Sequence, residues 1–175
     1  MYNNERDEQL FCFESSALSK EYCDEKEKNA WHVYVDGAAR KNPGPAGAGI
    51  FITKNGVPQL KKGFFLGFKT NNQAEYLAFL LGVYHLRAML TDTYVNITCY
   101  SDSLLMVKQL NGHYRVVDQK LKKFFDIAKN YIGSLPMSII HVPREKNIEA
   151  DEAANWGIDK KVALPESFLS MLPSE

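Results

Sequence analysis

Cysteine is scarce in this chain: only Cys12, Cys23 and Cys99 occur among 175 residues. Their number is odd, and no two stand at the short spacing of paired metal ligands. The cysteines therefore predict neither a disulfide framework nor a zinc site. They favour a reducing, cytoplasmic setting.

Long apolar runs are also missing. No stretch approaches the roughly 18 consecutive apolar residues of a membrane-spanning helix, so we expect no membrane span. The first residues are acidic and polar, and we do not expect them to act as a secretory signal.

Neither sign of charge is in excess, because 21 basic and 21 acidic residues give a formal net charge of zero. The charges are unevenly placed: residues 1–30 contain eight acidic and four basic residues, so the remainder is positive. A domain that binds nucleic acid can have a weak global charge if its basic groups share one face. A polyanionic partner is therefore not excluded.

Composition divides the chain into an acidic extension (1–30), one compact domain (31–160) and a C-terminal tail (161–175). We expect the tail, which contains Pro165 and Pro173, to pack loosely. The extension fits a mobile tail, with a docking or dimerising arm as the alternative. The sequence does not indicate an oligomeric state.

Alternating apolar residues and turn signals predict five strands, at 31–35, 46–53, 59–68, 94–100 and 137–142. Helical spacing predicts four helices, at 71–89, 103–110, 118–131 and 147–159. Thr70 or Asn71 is expected to cap the first helix and Asn147 the last. Three hairpin strands followed by alternating helices and strands predict an α/β fold, a five-stranded mixed sheet flanked by helices.

Four acidic residues fall where this fold brings chain segments together. Asp36 follows the first predicted strand and Asp102 the fourth, and carboxyl ends of parallel strands meet at one edge. Glu75 and Asp151 lie early in the helices beside that edge. Position alone is a weak signal, because aspartate is common at strand ends and helix caps.

Four carboxylates in one cleft need compensation. A pair of like charges ~4 Å apart repels by roughly 4 kcal/mol at an effective dielectric of 20. Divalent cations such as Mg²⁺ relieve this repulsion, and two ions roughly 3.5–4 Å apart serve phosphodiester hydrolysis.

Four segments, in order, resemble type 1 ribonuclease H: YVDGAARKNPGPAGAG (34–49), TNNQAEY (70–76), YSDSLL (100–105) and HVPREKNIEADEAAN (141–155). The resemblance covers about residues 31–160. It implies a ribonuclease H-like fold and an endonuclease that cuts the RNA strand of RNA–DNA hybrids, leaving 5′-phosphate and 3′-hydroxyl ends. The implied cofactors are two Mg²⁺ ions, with Mn²⁺ as a substitute.

The resemblance also implies roles for the acidic residues. Asp36 would bridge both ions, while Glu75 and Asp102 would hold the ion near the attacking water. Asp151 would hold the other ion.

The substrate contacts implied by the resemblance fall on Gly37, Asn42, Thr70, Asn71 and Asn72. The Gly37 backbone and the Glu75 side chain would meet RNA 2′-hydroxyls, the groups that distinguish RNA from DNA. The asparagines would read the minor groove of the hybrid, and Thr70 would contact a DNA-strand phosphate. A turn at Asn42 and caps at Thr70 and Asn71 are the simpler interpretations, and both roles can coexist.

The chain departs from many family members by lacking a basic handle, because residues 109–120 lead directly into the next helix. It therefore resembles the compact branch. Phosphate contacts could fall to lysines of that helix, or these lysines form a solvated face: Lys120, Lys122, Lys123 and Lys129. Leu104 replaces a polar residue common in the family, which indicates a missing minor-groove contact.

A loop residue before the last acid assists turnover in some members. Ungapped counting points to His141, but this residue lies inside a predicted strand. Arg144 in the following loop is the preferred candidate, and Glu145 is the third.

Three alternatives remain at this point. The domain could bind hybrid or structured RNA without cutting it. It could instead cut double-stranded RNA or the RNA–DNA junction at a primer. The fold alone would not exclude transposases or integrases, but the segments at 70–76 and 141–155 favour ribonuclease H.

Overall fold

A computed structural model of the chain describes residues 29–91 and 95–172. These residues form a five-stranded sheet in the order β3-β2-β1-β4-β5. Its strands are β1 (Ala30–Ala39), β2 (Gly44–Lys54), β3 (Val57–Lys69), β4 (Asn96–Ser101) and β5 (Met137–His141). The first three strands pair antiparallel, whereas β1, β4 and β5 run parallel. The predicted mixed sheet is confirmed.

Five helices and one 3₁₀ turn accompany the sheet. The helices are α1 (Asn71–Met89), α2 (Leu104–Leu110), α3 (Gln119–Ser134), α4 (Ile148–Lys160) and α5 (Glu166–Leu169). The 3₁₀ turn, Arg144–Lys146, leads into α4. No helix in the described ranges has the length and apolar character to cross a bilayer.

The two long central helices cover opposite faces of the sheet. Gly82 of α1 lies against the side chains of Val33, Val35 and Ile50. Gly49, the neighbour of Ile50 in β2, lies instead against the backbone of α4. Successive residues of a strand point to opposite faces, so α1 and α4 enclose the sheet between them.

The first strand is longer than predicted. It was expected to end at residue 35, but Asp36 through Ala39 continue to pair with Gly49 through Ala46 of β2. Asp36 therefore lies within a strand, where pairing with Gly49 of β2 fixes its position. The predicted start of β4 at Tyr94 and the predictions for residues 1–28 lie outside the described residues.

The start of α1 is fixed by a reciprocal cap. The Gln73 backbone N–H donates to Thr70 Oγ1 at 3.3 Å, and the Thr70 N–H donates to Gln73 Oε1 at 3.0 Å. This capping box satisfies two backbone donors that a helix start otherwise leaves free. The predicted cap at Thr70 is confirmed.

The C-terminal tail does not pack loosely, at least as far as residue 172. Phe168 of α5 is only 1% exposed, and its ring meets that of Tyr84 edge-on at 5.5 Å. Burying a phenylalanine contributes roughly 1.5–3 kcal/mol. The prolines suggested a loose segment, but the apolar residues after Pro165 decide the packing.

Small residues let α4 rest directly on the sheet backbone. An added Cβ at Gly49 would lie far inside van der Waals contact with the carbonyl oxygen of Ala150. At Gly63 of β3 the same obstacle is the carbonyl of Ala153. The neighbouring residue of α4, Asp151, is thereby held at a fixed height above β1 and β2.

We therefore expect Gly49→Ala to destabilise the fold, because the clash is with backbone that cannot rotate away. Overpacking of this kind costs about 1–3 kcal/mol or more. Urea unfolding monitored by circular dichroism measures the change. Gly133→Ala is the control: its added Cβ meets nothing within 4 Å, so stability should be unchanged or slightly higher. Equal stability of the two variants would contradict this account of α4.

Candidate active site

Three carboxylates from separate elements meet at one end of the sheet. Asp36 comes from β1, Glu75 from α1 and Asp102 from the end of β4, and one oxygen of each lies within 4.8 Å of the others. Tyr34 of β1 pairs with Tyr100 of β4 in the parallel register. Asp36 and Asp102 each follow their tyrosine by two residues and therefore lie side by side. The sequence predicts that four acids converge, and three of the four meet here.

A close approach of β1 to α1 brings Glu75 into the group. The Gly37 N–H donates to Glu75 Oε2 at 3.1 Å, and a Cβ at Gly37 would collide with the Glu75 backbone. Burial, the largest effect, raises the pKa of Glu75 well above its ordinary value, and the charges of Asp36 and Asp102 raise it further. The Gly37 hydrogen bond and Arg144 act in the opposite direction.

Asp36 is the central group electrostatically. Burial first, and then the charges of Asp102 and Asp151, raise the pKa of Asp36 from 3.8 to about 7. A hydrogen bond with Asp102 acts in the same direction. Near neutral pH this group of acids therefore needs either a retained proton or a cation. Because every candidate ligand is a carboxylate oxygen, the set fits a hard divalent ion.

Asp151 stands beside this group rather than within it. It lies in the first turn of α4 and pairs with Arg144. The Asn155 side chain also donates to it, from Nδ2 to Oδ2 at 3.3 Å. Asp151 is near enough for its charge to raise the pKa of Asp36. Its role as a metal ligand remains a prediction.

The three candidates for assisting turnover differ in what they contact. Arg144 is largely exposed in the 3₁₀ turn, and its hydrogen bond to Asp151 raises the pKa of its guanidinium group. His141 is the last residue of β5, as its place in the sequence suggested, and is exposed. Glu145 is exposed beside Arg144.

Asn147 is a residue whose place in the site the sequence did not indicate. It was predicted to cap α4, yet its side chain makes no cap. Its Nδ2 instead donates to the Val35 carbonyl at 3.0 Å and to Asp102 Oδ1 at 3.1 Å. Both partners are distant in sequence, so neither can be recognised from the residues around Asn147. The local sequence shows only a polar residue at a helix start, which is also typical of a helix cap.

The predicted substrate residues form one rim beside the carboxylates. The Asn71 N–H donates to Asn42 Oδ1 at 3.1 Å, and the Ala39 N–H donates to Asn71 Oδ1 at 3.1 Å. These bonds tie the turn after β1 to the start of α1. Thr70 caps the same helix, and Asn72 is exposed in its first turn.

A groove of about 830 Å³ continues from this rim. Thr70 and Gln73 line it on one side, and Lys120 and Lys123 of α3 line the other. The exposed ring of Phe68 also lies in the groove. The remaining residues that line the groove are Pro43, Lys69, Asp118, Gln119 and Phe124.

The four lysines considered from the sequence therefore separate into two pairs. Lys120 and Lys123 face the groove. Lys122 pairs with Asp126 at 2.5 Å, and Lys129 donates to the carbonyl of Leu110 at 3.3 Å. Between α2 and α3 the chain has only residues 111–118, so no handle is inserted.

Comparison with known proteins agrees with this architecture. A family model described as reverse transcriptase-like matches residues 34–157. Ribonuclease HI of Halobacterium salinarum is 38% identical over 130 residues, which are 73% of this chain and 64% of the relative. The chain thus spans just under two thirds of that protein's length.

Two solved structures are similar in fold and sequence. RNase H1 from the halophilic archaeon Halobacterium salinarum NRC-1 superposes with a TM-score of 0.70 at 34% identity, over 75% of this chain and 98% of that one. LC11-RNase H1 in complex with RNA/DNA hybrid gives a TM-score of 0.70 at 36% identity, over 74% and 97%. With its fold, its carboxylates and its uninterrupted passage from α2 to α3, the chain belongs to the type 1 ribonuclease H family in its compact form.

Proposed function

We propose that this protein is a metal-dependent endonuclease that hydrolyses the RNA strand of RNA–DNA hybrids. The observation that carries the proposal is the meeting of Asp36, Glu75 and Asp102 in a chain of this family. Two of the three are buried and have raised pKa values. Such an arrangement costs stability unless cations occupy it, which indicates a metal site rather than a structural cluster.

The metal ligands would be Asp36, Glu75, Asp102 and Asp151, holding two Mg²⁺ ions, with Mn²⁺ as a substitute. Ions so held supply an activated water and stabilise the leaving 3′ oxygen, so that the cut leaves 5′-phosphate and 3′-hydroxyl ends. Asp36 would touch both ions: its carboxylate lies within 4.8 Å of those of Glu75 and Asp102, and the charge of Asp151 also acts on it.

The hybrid would lie across the rim and the groove. Asn42, Asn71 and Asn72 would meet its minor groove, and Gly37 and Glu75 would meet RNA 2′-hydroxyls. Thr70 opens into the groove that Lys120 and Lys123 also line, which suits the phosphates of the DNA strand. The related LC11 enzyme was solved with an RNA/DNA hybrid.

We assign to Arg144 the role of assisting catalytic turnover. It contacts Asp151, one of the proposed ligands, whereas His141 ends a strand. This ion pair brings the guanidinium charge into direct contact with the Asp151 carboxylate. The division into regions 1–30, 31–160 and 161–175 and the cytoplasmic location remain predictions.

The central test is cleavage by the purified full chain of a labelled RNA–DNA hybrid, a matched RNA duplex and a matched DNA duplex, with Mg²⁺, Mn²⁺ or EDTA. We expect only the RNA strand of the hybrid to be cut, and EDTA to abolish cutting. Asp36→Asn should lower the rate by at least about 100-fold, because it removes the proposed shared ligand. Asp126→Asn, an exposed carboxylate paired with Lys122, should leave the rate unchanged.

Cleavage of the RNA duplex as well would indicate a broader ribonuclease, and cleavage confined to a primer junction a more specialised one. Retained hybrid binding without cleavage under any metal would mean that the domain only binds. Substantial cleavage by Asp36→Asn at saturating Mg²⁺ would refute the role given to Asp36.

A second test concerns the groove. Replacing Lys120 and Lys123 together by alanine should raise the KM for the hybrid with little change in kcat. If each lysine neutralises one phosphate, the slope of log affinity against log salt should fall by roughly 1.4–1.8. Lys122→Ala is the matched control, since Lys122 lies on the same helix but pairs with Asp126. The same KM in the double variant and in wild type would exclude the groove from substrate binding.

A third test uses the pKa of Asp36 in metal-free protein. Asp36 keeps its proton up to about pH 7 when folded but ionises near pH 3.8 when unfolded, so the folded state binds more protons between these values. The free energy of unfolding should therefore fall as pH rises from 5 to 8, by roughly 2–3 kcal/mol, because most of the loss occurs between pH 5 and the folded-state pKa of about 7.

Urea unfolding in EDTA of wild type and Asp36→Asn at both pH values measures this contribution. The advantage of the variant over wild type should grow with pH, and Mg²⁺ should restore the stability of wild type at pH 8. A constant difference between the two proteins would show that Asp36 ionises without penalty.

A further inference from the structure

We propose that Asn147 is a positioning residue of the metal site: its side-chain amide sets the Asp102 carboxylate against the strand that carries Asp36. The inference rests on the proposed function, because it assumes that the carboxylates hold divalent cations. It starts from a buried amide whose Nδ2 group donates both to the β1 backbone and to Asp102.

The orientation of this amide is fixed by its neighbours. Both groups within reach of Nδ2, the carbonyl oxygen of Val35 and Asp102 Oδ1, are acceptors, at 3.0 and 3.1 Å. Only the NH₂ end can face two acceptors, since the reversed amide would set oxygen against oxygen. Asn147 therefore uses one proton on the β1 backbone directly before Asp36 and the other on Asp102.

The Asn147 backbone extends this link to the fourth acid. The Asp151 N–H donates to the Asn147 carbonyl oxygen at 3.1 Å, which forms the first turn of α4. One residue thus contacts the segment before Asp36, the Asp102 side chain and the turn that carries Asp151. The spacing of three proposed ligands depends on it.

A residue present only to begin a helix would be arranged differently. A capping side chain places its oxygen on the free N–H groups of the first turn, and Asn147 makes no such bond. Asn147 is 1% exposed, and none of the described residues donates to its Oδ1. The side chain thus serves the β1 backbone and the Asp102 carboxylate rather than the helix start, which fits a role in the site.

The Nδ2 group supplies Asp102 with a neutral donor. A lysine or arginine at this place would instead compete with the cation for the carboxylate. Loss of the amide would free the Asp102 side chain to rotate. We therefore expect the affinity for metal to fall more than the affinity for the hybrid.

The test compares Asn147→Ala with Asn111→Ala in the full chain. Asn111 is a matched control, because its Nδ2 also donates to a strand carbonyl, that of Ile139, at 3.0 Å, but no carboxylate is involved. Mn²⁺ binding is measured by calorimetry, and kcat, KM and melting temperature are measured alongside. Asn147→Ala should bind Mn²⁺ about 10-fold more weakly, need correspondingly more metal for half-maximal cleavage and keep the wild-type KM. Asn111→Ala should differ from wild type only in melting temperature.

If Asn147→Ala does not fold, Asn147→Ser replaces it. Serine retains one donor and can serve Val35 or Asp102 but not both, so weaker Mn²⁺ binding is again expected. Wild-type Mn²⁺ affinity in either folded variant would overturn the proposal while leaving the proposed nuclease activity intact. Wild-type protein that neither binds Mn²⁺ nor cleaves the hybrid would overturn the proposed function and this inference with it.

Discussion

The mutual repulsion of three closely spaced carboxylates is the constraint around which the rest of the structure is arranged. Asp36, Glu75 and Asp102 lie within a few ångströms of one another, and two of them are almost inaccessible to water. Nothing in the free energy of folding favours such a group, because each acid raises the cost of ionising the next. The elements that hold the acids must therefore be rigid. They are β1, which pairs with β2 and β4, the start of α1 with its reciprocal cap, and the end of the parallel strand β4.

The described structure meets this demand mostly with backbone contacts. Gly37 lets β1 touch α1, and Gly49 and Gly63 let α4 touch the sheet. The hydrogen bonds of Asn42 and Asn71 join the turn after β1 to the start of α1. Contacts of this kind leave little freedom to relax, so positions set by them resist the repulsion better than long side chains would.

The strands, the central helices and the convergence of Asp36, Glu75 and Asp102 could be predicted from the sequence, because periodicity and strand-end position are local signals. The place of Asp36 inside a strand could not, since the pairing of residues 36–39 depends on β2. The packing of the tail could not be predicted either, because Phe168 packs beside Tyr84 and no local pattern indicates that contact. Asn147 shows the same limit: its partners lie 112 and 45 residues away, and only the folded chain brings them to its amide.

The proton that Asp36 retains near neutrality links metal binding at the site to proton release. At pH values below about 7 a cation that enters displaces this proton, so binding there exchanges one positive species for another. The apparent affinity for metal is then conditional on pH, and acidification empties the site by the same reaction that metal drives forward. In weakly buffered solution the protein should therefore acidify its medium as it binds metal. The number of protons released should rise with the fraction of metal sites that are filled.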